Sequence, residues 1–323
     1  MTRWKTTLGS LIAVATAAAA LAACGGGASE DKTGGSGPDK VDVGVIPIVD
    51  VAPIYLGKDK GFFKDEDIDL SLETGQGGAA IVPGVASGQF QFGFSNLTSL
   101  MVASEQGLGV KVVAAGNSTT GEVGKDFGAV VVPGDSTIAD AAALEGKSVA
   151  VNTLNNIGST TINKAVRDAG GDPTKVKYVE LAFPDMPGAL ANGQVDAAWV
   201  VEPFLTITKG QGAKPVVWNF AETDPNLMIA AYFTSPKVLA EDPDLVKRFT
   251  AALNKSLDYA QDNPDEARAI IQTYTELDAD AAAKITLPKW SSTIDENSFT
   301  VLGDLAVTDG ALKSKPDIGA LLQ

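Results

Sequence analysis

Ten residues of this chain occur twice in related form, and that constrains the fold more than any other feature. The segment Val85-Ala86-Ser87-Gly88-Gln89-Phe90-Gln91-Phe92-Gly93-Phe94 aligns with Leu190-Ala191-Asn192-Gly193-Gln194-Val195-Asp196-Ala197-Ala198-Trp199 at an offset of 105. Each copy stops a helix at Gly and then enters an extended apolar run, so local geometry accounts for part of the match. At the same offset, residues 149–151 fall on 44–46 and residues 176–180 on 71–75. Agreement across three elements points to one α/β unit used twice.

From residue 41 short apolar runs alternate with amphipathic stretches, the pattern of parallel α/β layers. The first series of expected strands is 41–46, 68–73, 90–94 and 110–114, and the second is 148–151, 176–180, 195–199 and 215–217. Residues 128–132 form a further extended run between the series, and 228–234 another after them. The remainder reads as helix. Ser235-Pro236 and Asn263-Pro264 are cap-then-proline starts, and Glu266 stands where a capping-box partner would. Leu245, Phe249, Leu253 and Leu257 share one helix face, expected to pack on the first lobe. The expected division is 41–130 plus 235–323 for lobe 1 and 131–234 for lobe 2.

The N-terminus carries an address. Arg3 and Lys5 precede an apolar run from Leu8 to Leu21, and Leu21-Ala22-Ala23-Cys24 follows. This reads as a secretory signal over residues 1–23 and resembles a bacterial lipobox, in which Cys24 becomes the lipidated first residue. The run is shorter than the roughly 20 apolar residues of a membrane span. Residues 24–40 are rich in Gly, Ser and charge and read as a flexible tether. The expected location is therefore the outer face of the cell membrane, with the lipid as its only membrane contact.

Composition excludes several chemistries. The formal charge is −15, and loss of Arg3 and Lys5 with the signal makes it −17. Such a body repels nucleic acid and anionic lipid. Histidine is absent and Cys24 is the only cysteine. His-dependent triads, His-ligated metals, thiol nucleophiles and disulfides are all removed. No metal or cofactor is expected. Carboxylate or lysine catalysis stays open, but the balance favours binding.

In parallel sheets, ligands sit beyond the carboxyl ends of the strands. Two facing lobes would present six such loops. Asp50, Gln76, Gly77, Ser95 and Asn96 come from the first lobe. Asn155, Ser159, Thr160, Asp185, Trp199 and Glu202 come from the second. The amides and hydroxyls suit carboxylate, sulfonate or carbonyl oxygens, the acids suit an amine, and Trp199, Phe94 and Phe204 suit a flat ring. Helix capping is the plain alternative for each loop, and a core position the alternative for Trp199 and Phe94. All four arginines (Arg3, Arg167, Arg248, Arg268) lie outside these loops, which disfavours a bare inorganic oxyanion.

The segments 43–50 (VGVIPIVD), 55–63 (YLGKDKGFF), 85–95, 181–187 and 196–204 (DAAWVVEPF) resemble the solute-binding proteins of ABC importers. The similar branch is the nitrate, sulfonate, taurine and thiamine-pyrimidine group. The similarity spans nearly all of residues 41–290, with 58–63 and 199–203 its more specific marks. It implies an α/β, type II periplasmic-binding-protein fold: two similar parallel-sheet lobes, two crossing strands and a cleft between. It also implies delivery of a small solute to an ABC permease with a cytoplasmic ATPase, and the chain is expected to act as a monomer. For an aminopyrimidine-like ligand it implies contacts from Trp199, Asp185 and Glu202. For a taurine-like one it implies contacts from Glu202, Ser159 and Thr160. A related branch makes the thiamine pyrimidine from its own histidine, which this chain lacks. The alternatives are an extracytoplasmic enzyme using Asp50, Asp185 or Glu202, and a sensor subunit presenting ligand to a membrane receptor.

Overall fold

β-Branched and aromatic residues in short runs suit strands buried on both faces. The computed structural model describes residues 37–322; the signal and Cys24 lie outside the described residues. Ten strands appear among the described residues. They are β1 (Asp39–Val45), β2 (Ile68–Thr74), β3 (Phe92–Asn96), β4 (Lys111–Ser118) and β5 (Gly128–Val132), then β6 (Ser148–Val151), β7 (Lys177–Glu180), β8 (Ala197–Val201), β9 (Lys214–Val217) and β10 (Met228–Thr234). Asp39 and Lys40, expected in the tether, already belong to β1.

The strands build two five-stranded sheets, ordered β2-β1-β3-β10-β4 and β7-β6-β8-β5-β9. The two orders are the same, with one foreign strand in fourth place. β1 runs parallel to β2 and β3, and β6 parallel to β7 and β8. β10 is antiparallel to β3 and β4, and β5 antiparallel to β8 and β9. The sheets are thus mixed, not purely parallel. The reason is connectivity: after β4 the chain crosses to the second sheet, and after β9 it crosses back. A strand arriving from the opposite lobe starts at the cleft end, so it opposes the strands that finish there.

Strand pairing also moves the expected division. β5 opens the second sheet at Gly128, and β10, expected in lobe 2, is a strand of the first sheet. The internal repeat is real, with a slip of one. Phe92–Asn96 and Ala197–Val201 differ by 105, whereas Val43 and Val149 pair at equivalent places 106 apart.

The helix Pro243–Asp262 buries Leu245, Phe249, Leu253 and Leu257. Phe249 stacks on Phe92 of β3 with ring centroids 3.7 Å apart, so this helix covers the first sheet as expected. The side chain of Ser235 accepts from Val238 N at 3.3 Å, a true cap. Asn263 makes no side-chain cap. Glu266 instead pairs with Lys60 and accepts from Tyr259 Oη at 3.0 Å, because a long acid on an exposed turn finds a cation more readily than a backbone N–H.

Candidate functional site

The carboxyl ends of the parallel strands of the two sheets face each other. Between them lies a cavity of about 30 Å³, lined by Asp50, Phe94 and Asn96 from one lobe and by Asn152, Phe183 and Trp199 from the other. That is room for about one water. At its mouth a second cavity of about 270 Å³ lies between Ile48, Gln76 and Phe183, Pro184, Asp185. The lobes are in contact around it. Val49 N donates to Glu202 O at 2.9 Å, and a Cβ on Gly77 would come within 2.9 Å of Asn152 Nδ2.

Asp50 is the most constrained polar group here. It is only 3 % exposed, and its Oδ1 accepts from Asn117 Nδ2 at 2.9 Å. Its Oδ2 has no hydrogen-bond partner. Burial disfavours the charged form and pushes its pKa up to about 7, against the pull of its backbone and Asn117 hydrogen bonds. The surrounding loop is pinned from below. Trp290 Nε1 donates to Asp50 O at 3.2 Å, and Tyr274 Oη donates to Ile48 O at 3.1 Å. The ring of Tyr55 stacks on that of Tyr274 at 4.0 Å.

Trp199 supplies the opposite wall. It is 3 % exposed, and its indole Nε1 also lacks a partner. Phe183 and Phe220 flank the indole at 5.5 and 5.7 Å. The ring lies against the start of the helix Ile157–Asp168 because residue 158 is Gly; a Cβ there would meet the ring at 2.4 Å. Asp50 and Trp199, which carry a buried carboxylate oxygen and a buried indole N–H without partners, both line this small aromatic space. Such groups are costly unless a partner is supplied.

The other expected site residues divide. Asn96 lines the inner cavity and caps the helix Leu97–Glu105 through Ser99 N at 2.9 Å. Gln76 and exposed Asp185 line the mouth. Gly77 sits where the lobes touch, beside Asn152. Ser95 is fully buried under the start of the helix Gly78–Ser87, where a Cβ on Gly78 would meet its Oγ at 2.0 Å. Asn155 is exposed with φ +52° and lines neither cavity. Ser159 closes a capping box with Asn156, and Thr160 is buried in the same helix.

Glu202 turns away from the cleft. Its carboxylate accepts from Thr206 N at 2.9 Å, Thr206 Oγ1 at 2.8 Å and Thr286 N at 3.3 Å. It lines neither cavity, because the chain turns at Pro203 and the acid serves the helix Phe204–Gly210 that follows. Burial raises its pKa to about 7 despite these donors.

Sequence reading missed Asn117 and Phe220, and took in Asn152 and Phe183 only as members of the candidate loops 152–160 and 183–186, not as named site residues. Asn117 comes from β4 and Phe220 from the second crossing, so only long-range pairing brings them in. Asn152 did carry a signal: at the 106 offset it matches Ile46, which lines the same cavity. Among the described residues no three His, Cys, Asp or Glu side chains are grouped to hold a metal.

A family model described as NMT1/THI5 like matches residues 48–267, more than half of the chain. The chain belongs to the NMT1/THI5-like family. One relative is a Bacillus subtilis protein whose name describes aliphatic sulfonates-binding, 28% identical over 71% of this chain and 68% of its own length. Another is the 4-amino-5-hydroxymethyl-2-methylpyrimidine phosphate synthase of Candida albicans, 22% identical over 67% of this chain and 65% of the enzyme. Among solved structures, the alkanesulfonate-binding protein SsuA from Xanthomonas axonopodis pv. citri, bound to MOPS, superposes with a TM-score of 0.77. It is 15% identical and the match covers 90% of this chain and 99% of that one. At that identity the likeness shows the fold, and the fold is that of the periplasmic binding proteins. This NMT1/THI5-like chain thus places its cleft where two topologically equal lobes meet.

Proposed function

We propose that this chain is the extracytoplasmic solute receptor of an ABC importer, tethered by a lipidated Cys24, for a small organic solute bearing an amine or amino-heterocycle. One observation carries the ligand class: the buried, unpartnered Asp50 Oδ2 facing an aromatic wall. An N–H donor on the solute satisfies that oxygen, and its body lies against Phe94, Phe183 and Trp199. A negative group on the same solute, as in taurine, has only neutral donors to meet it, among them Trp199 Nε1 and Gln76. No Lys or Arg lines either cavity, so a sulfonate without an amine would face the Asp50 charge uncompensated.

Function follows from differential affinity. The inner cavity admits about one water, so a solute enters when the lobes part and then holds them closed by contacting both. Closure marks the loaded receptor for the permease. A thermal-shift panel of taurine, an amine-free alkanesulfonate and a 4-aminopyrimidine tests this on the purified protein. A shift with an amine-bearing compound is expected. A shift confined to the amine-free sulfonate would overturn the ligand class.

A second reading is favoured by the position of Asp50, whose pKa near 7 suits a general base. An enzyme on this fold would return its solute altered. Recovery of the bound compound unchanged after prolonged incubation removes that reading.

A further inference from the structure

On the hinge side of the molecule, away from the cleft mouth, is a concave pocket of about 760 Å³. Lys125, Lys209, Arg268, Lys284 and Lys289 line it, against Glu122 as the one lining acid. In a chain with 25 basic and 40 acidic residues, this is a local inversion of charge. Lys125 pairs with Glu122 at 3.1 Å and Arg268 with Asp265 at 3.3 Å. Among the described residues Lys209, Lys284 and Lys289 have no carboxylate within ion-pair distance.

The walls come from separate parts of the chain. Lys125 lies on the first crossing, Lys209 on the helix Phe204–Gly210 of the second lobe, and Lys284 and Lys289 on a segment docked on the first sheet. That segment is tied to β4 by Lys289 N donating to Ser118 O at 3.0 Å and by Ser118 N donating to Lys289 O at 2.8 Å. Four lysines held together by three different parts of the chain repel one another, and a fold keeps such a cluster at lower cost when an anion sits among them. The volume lies within the usual range for small-molecule sites.

We propose that this pocket is a second binding site, for a small dissolved oxyanion carrying two or more negative charges. Its back wall is hydrogen-bonded to the two loops that frame the solute cleft from behind. Thr286 N donates to the carboxylate of Glu202, and Trp290 Nε1 donates to Asp50 O. An anion bridging the two lobes there acts on the same hinge the solute closes, so the two ligands are thermodynamically linked.

The test is titration of the purified full-length protein with inorganic pyrophosphate, read by tryptophan fluorescence, since Trp218 and Trp290 both line the pocket. A saturable change is expected. The triple variant Lys209→Ala, Lys284→Ala, Lys289→Ala weakens it more than tenfold. All three side chains are exposed, so the fold is retained. A control triple with the same charge change, Lys64→Ala, Lys237→Ala, Lys313→Ala, leaves the affinity within threefold. Absence of a saturable change in the wild type, or equal loss in both triples, would overturn the proposal. Vesicles of phosphatidylglycerol separate a lipid headgroup from a dissolved anion. Co-sedimentation that the pocket triple abolishes, without any response to pyrophosphate, would overturn a site for dissolved anions.

Discussion

Asp50 and Asn156 occupy equivalent places in the two lobes, 106 residues apart in the loops after β1 and β6, yet they do opposite things. Asn156 accepts from Gly158 N at 3.0 Å and caps its helix in a capping box with Ser159. In the first lobe the helix Ala52–Asp59 starts without any side-chain cap, and the Asp50 carboxylate turns to Asn117 and the cleft. Phe94 and Trp199 are a second equivalent pair, 105 apart, and both line the inner cavity. The duplicated frame holds backbone geometry in common. Chemistry then diverges residue by residue: the first lobe brings a carboxylate, the second an indole and its aromatic neighbours. An acid or amide at a helix start is therefore informative only when its own helix does not use it.

The largest expected effect breaks this comparison on the polar side. Asp50→Asn keeps the shape and removes the charge, and should weaken binding of an amine-bearing solute at least a hundredfold, about 2.7 kcal/mol by calorimetry. Asn156→Ala should lower stability by about 1 kcal/mol through loss of the cap while changing affinity less than tenfold. The acid also sets a pH dependence. With the folded pKa near 7 against an ordinary 3.8, the folded state keeps a proton that the unfolded chain releases. Stability therefore falls as pH rises from about 4 to about 7, and Glu202 adds to the same slope. Asp50→Asn should flatten part of that slope. Affinity for a cationic solute runs the other way, falling up to about tenfold per pH unit below 7 as Asp50 takes up its proton. A solute affinity that does not change between pH 5 and 8 would remove Asp50 from the contact.

The aromatic side can be broken without touching the indole itself. Gly158→Ala puts a Cβ at 2.4 Å from the Trp199 ring, so either ring or helix must move. Overpacking of this kind costs about 1–3 kcal/mol. Solute affinity should drop more than tenfold, and quenching of Trp199 fluorescence by solute should be lost with it.

A smaller effect is expected where the lobes meet outside the cleft. Arg167, on the helix Ile157–Asp168, reaches Asp309 at 2.5 Å, just beyond the helix Glu296–Thr308 that packs on the first lobe. Arg167 Nη2 and Asp309 Oδ2 are buried without partners, so the pair is joined at one point and underused. Arg167→Met paired with Asp309→Leu removes both charges together, avoiding an orphaned carboxylate. Lobe opening should become easier, seen as a larger radius of gyration by small-angle scattering and a three- to tenfold weaker affinity. An unchanged radius with unchanged affinity would show that the contact does not take part in closure.

All ten strands were legible as apolar runs, and β5, β6 and β10 have the expected ends. β3 and β8 are both displaced by two residues toward the cleft. Phe90 and Val195 read as strand, but they follow helix stops. Phe90 N donates to Gly84 O, and Gln194 N to Ala189 O. The antiparallel insertion of β5 and β10 left no local trace, because it depends on where the chain goes after leaving each lobe. The same limit hid Asn117. Asp50, Asn96 and Trp199 line the inner cavity because they lie within or shortly after strands the repeat had already located, which is as far as sequence could place them. Glu202 was legible as an acid in the right loop, but its direction was not, since that depends on how the following turn is closed.

Glu202→Gln is the smallest of these effects and the sharpest check on the comparison. Glu202 is the acid of the second lobe as Asp50 is of the first, and burial raises both to about 7. Thr206 N, Thr206 Oγ1 and Thr286 N already occupy its oxygens, leaving nothing to offer a solute. Replacement by Gln turns one acceptor into an N–H that faces these donors, at a cost on the order of 1–3 kcal/mol. The melting temperature should fall by several degrees and the affinity should stay within threefold. A tenfold loss of affinity at unchanged melting temperature would mean that the carboxylate swings into the cleft when the lobes open. In that case the two lobes would each contribute an acid, and the division into a charged wall and an aromatic wall would fail.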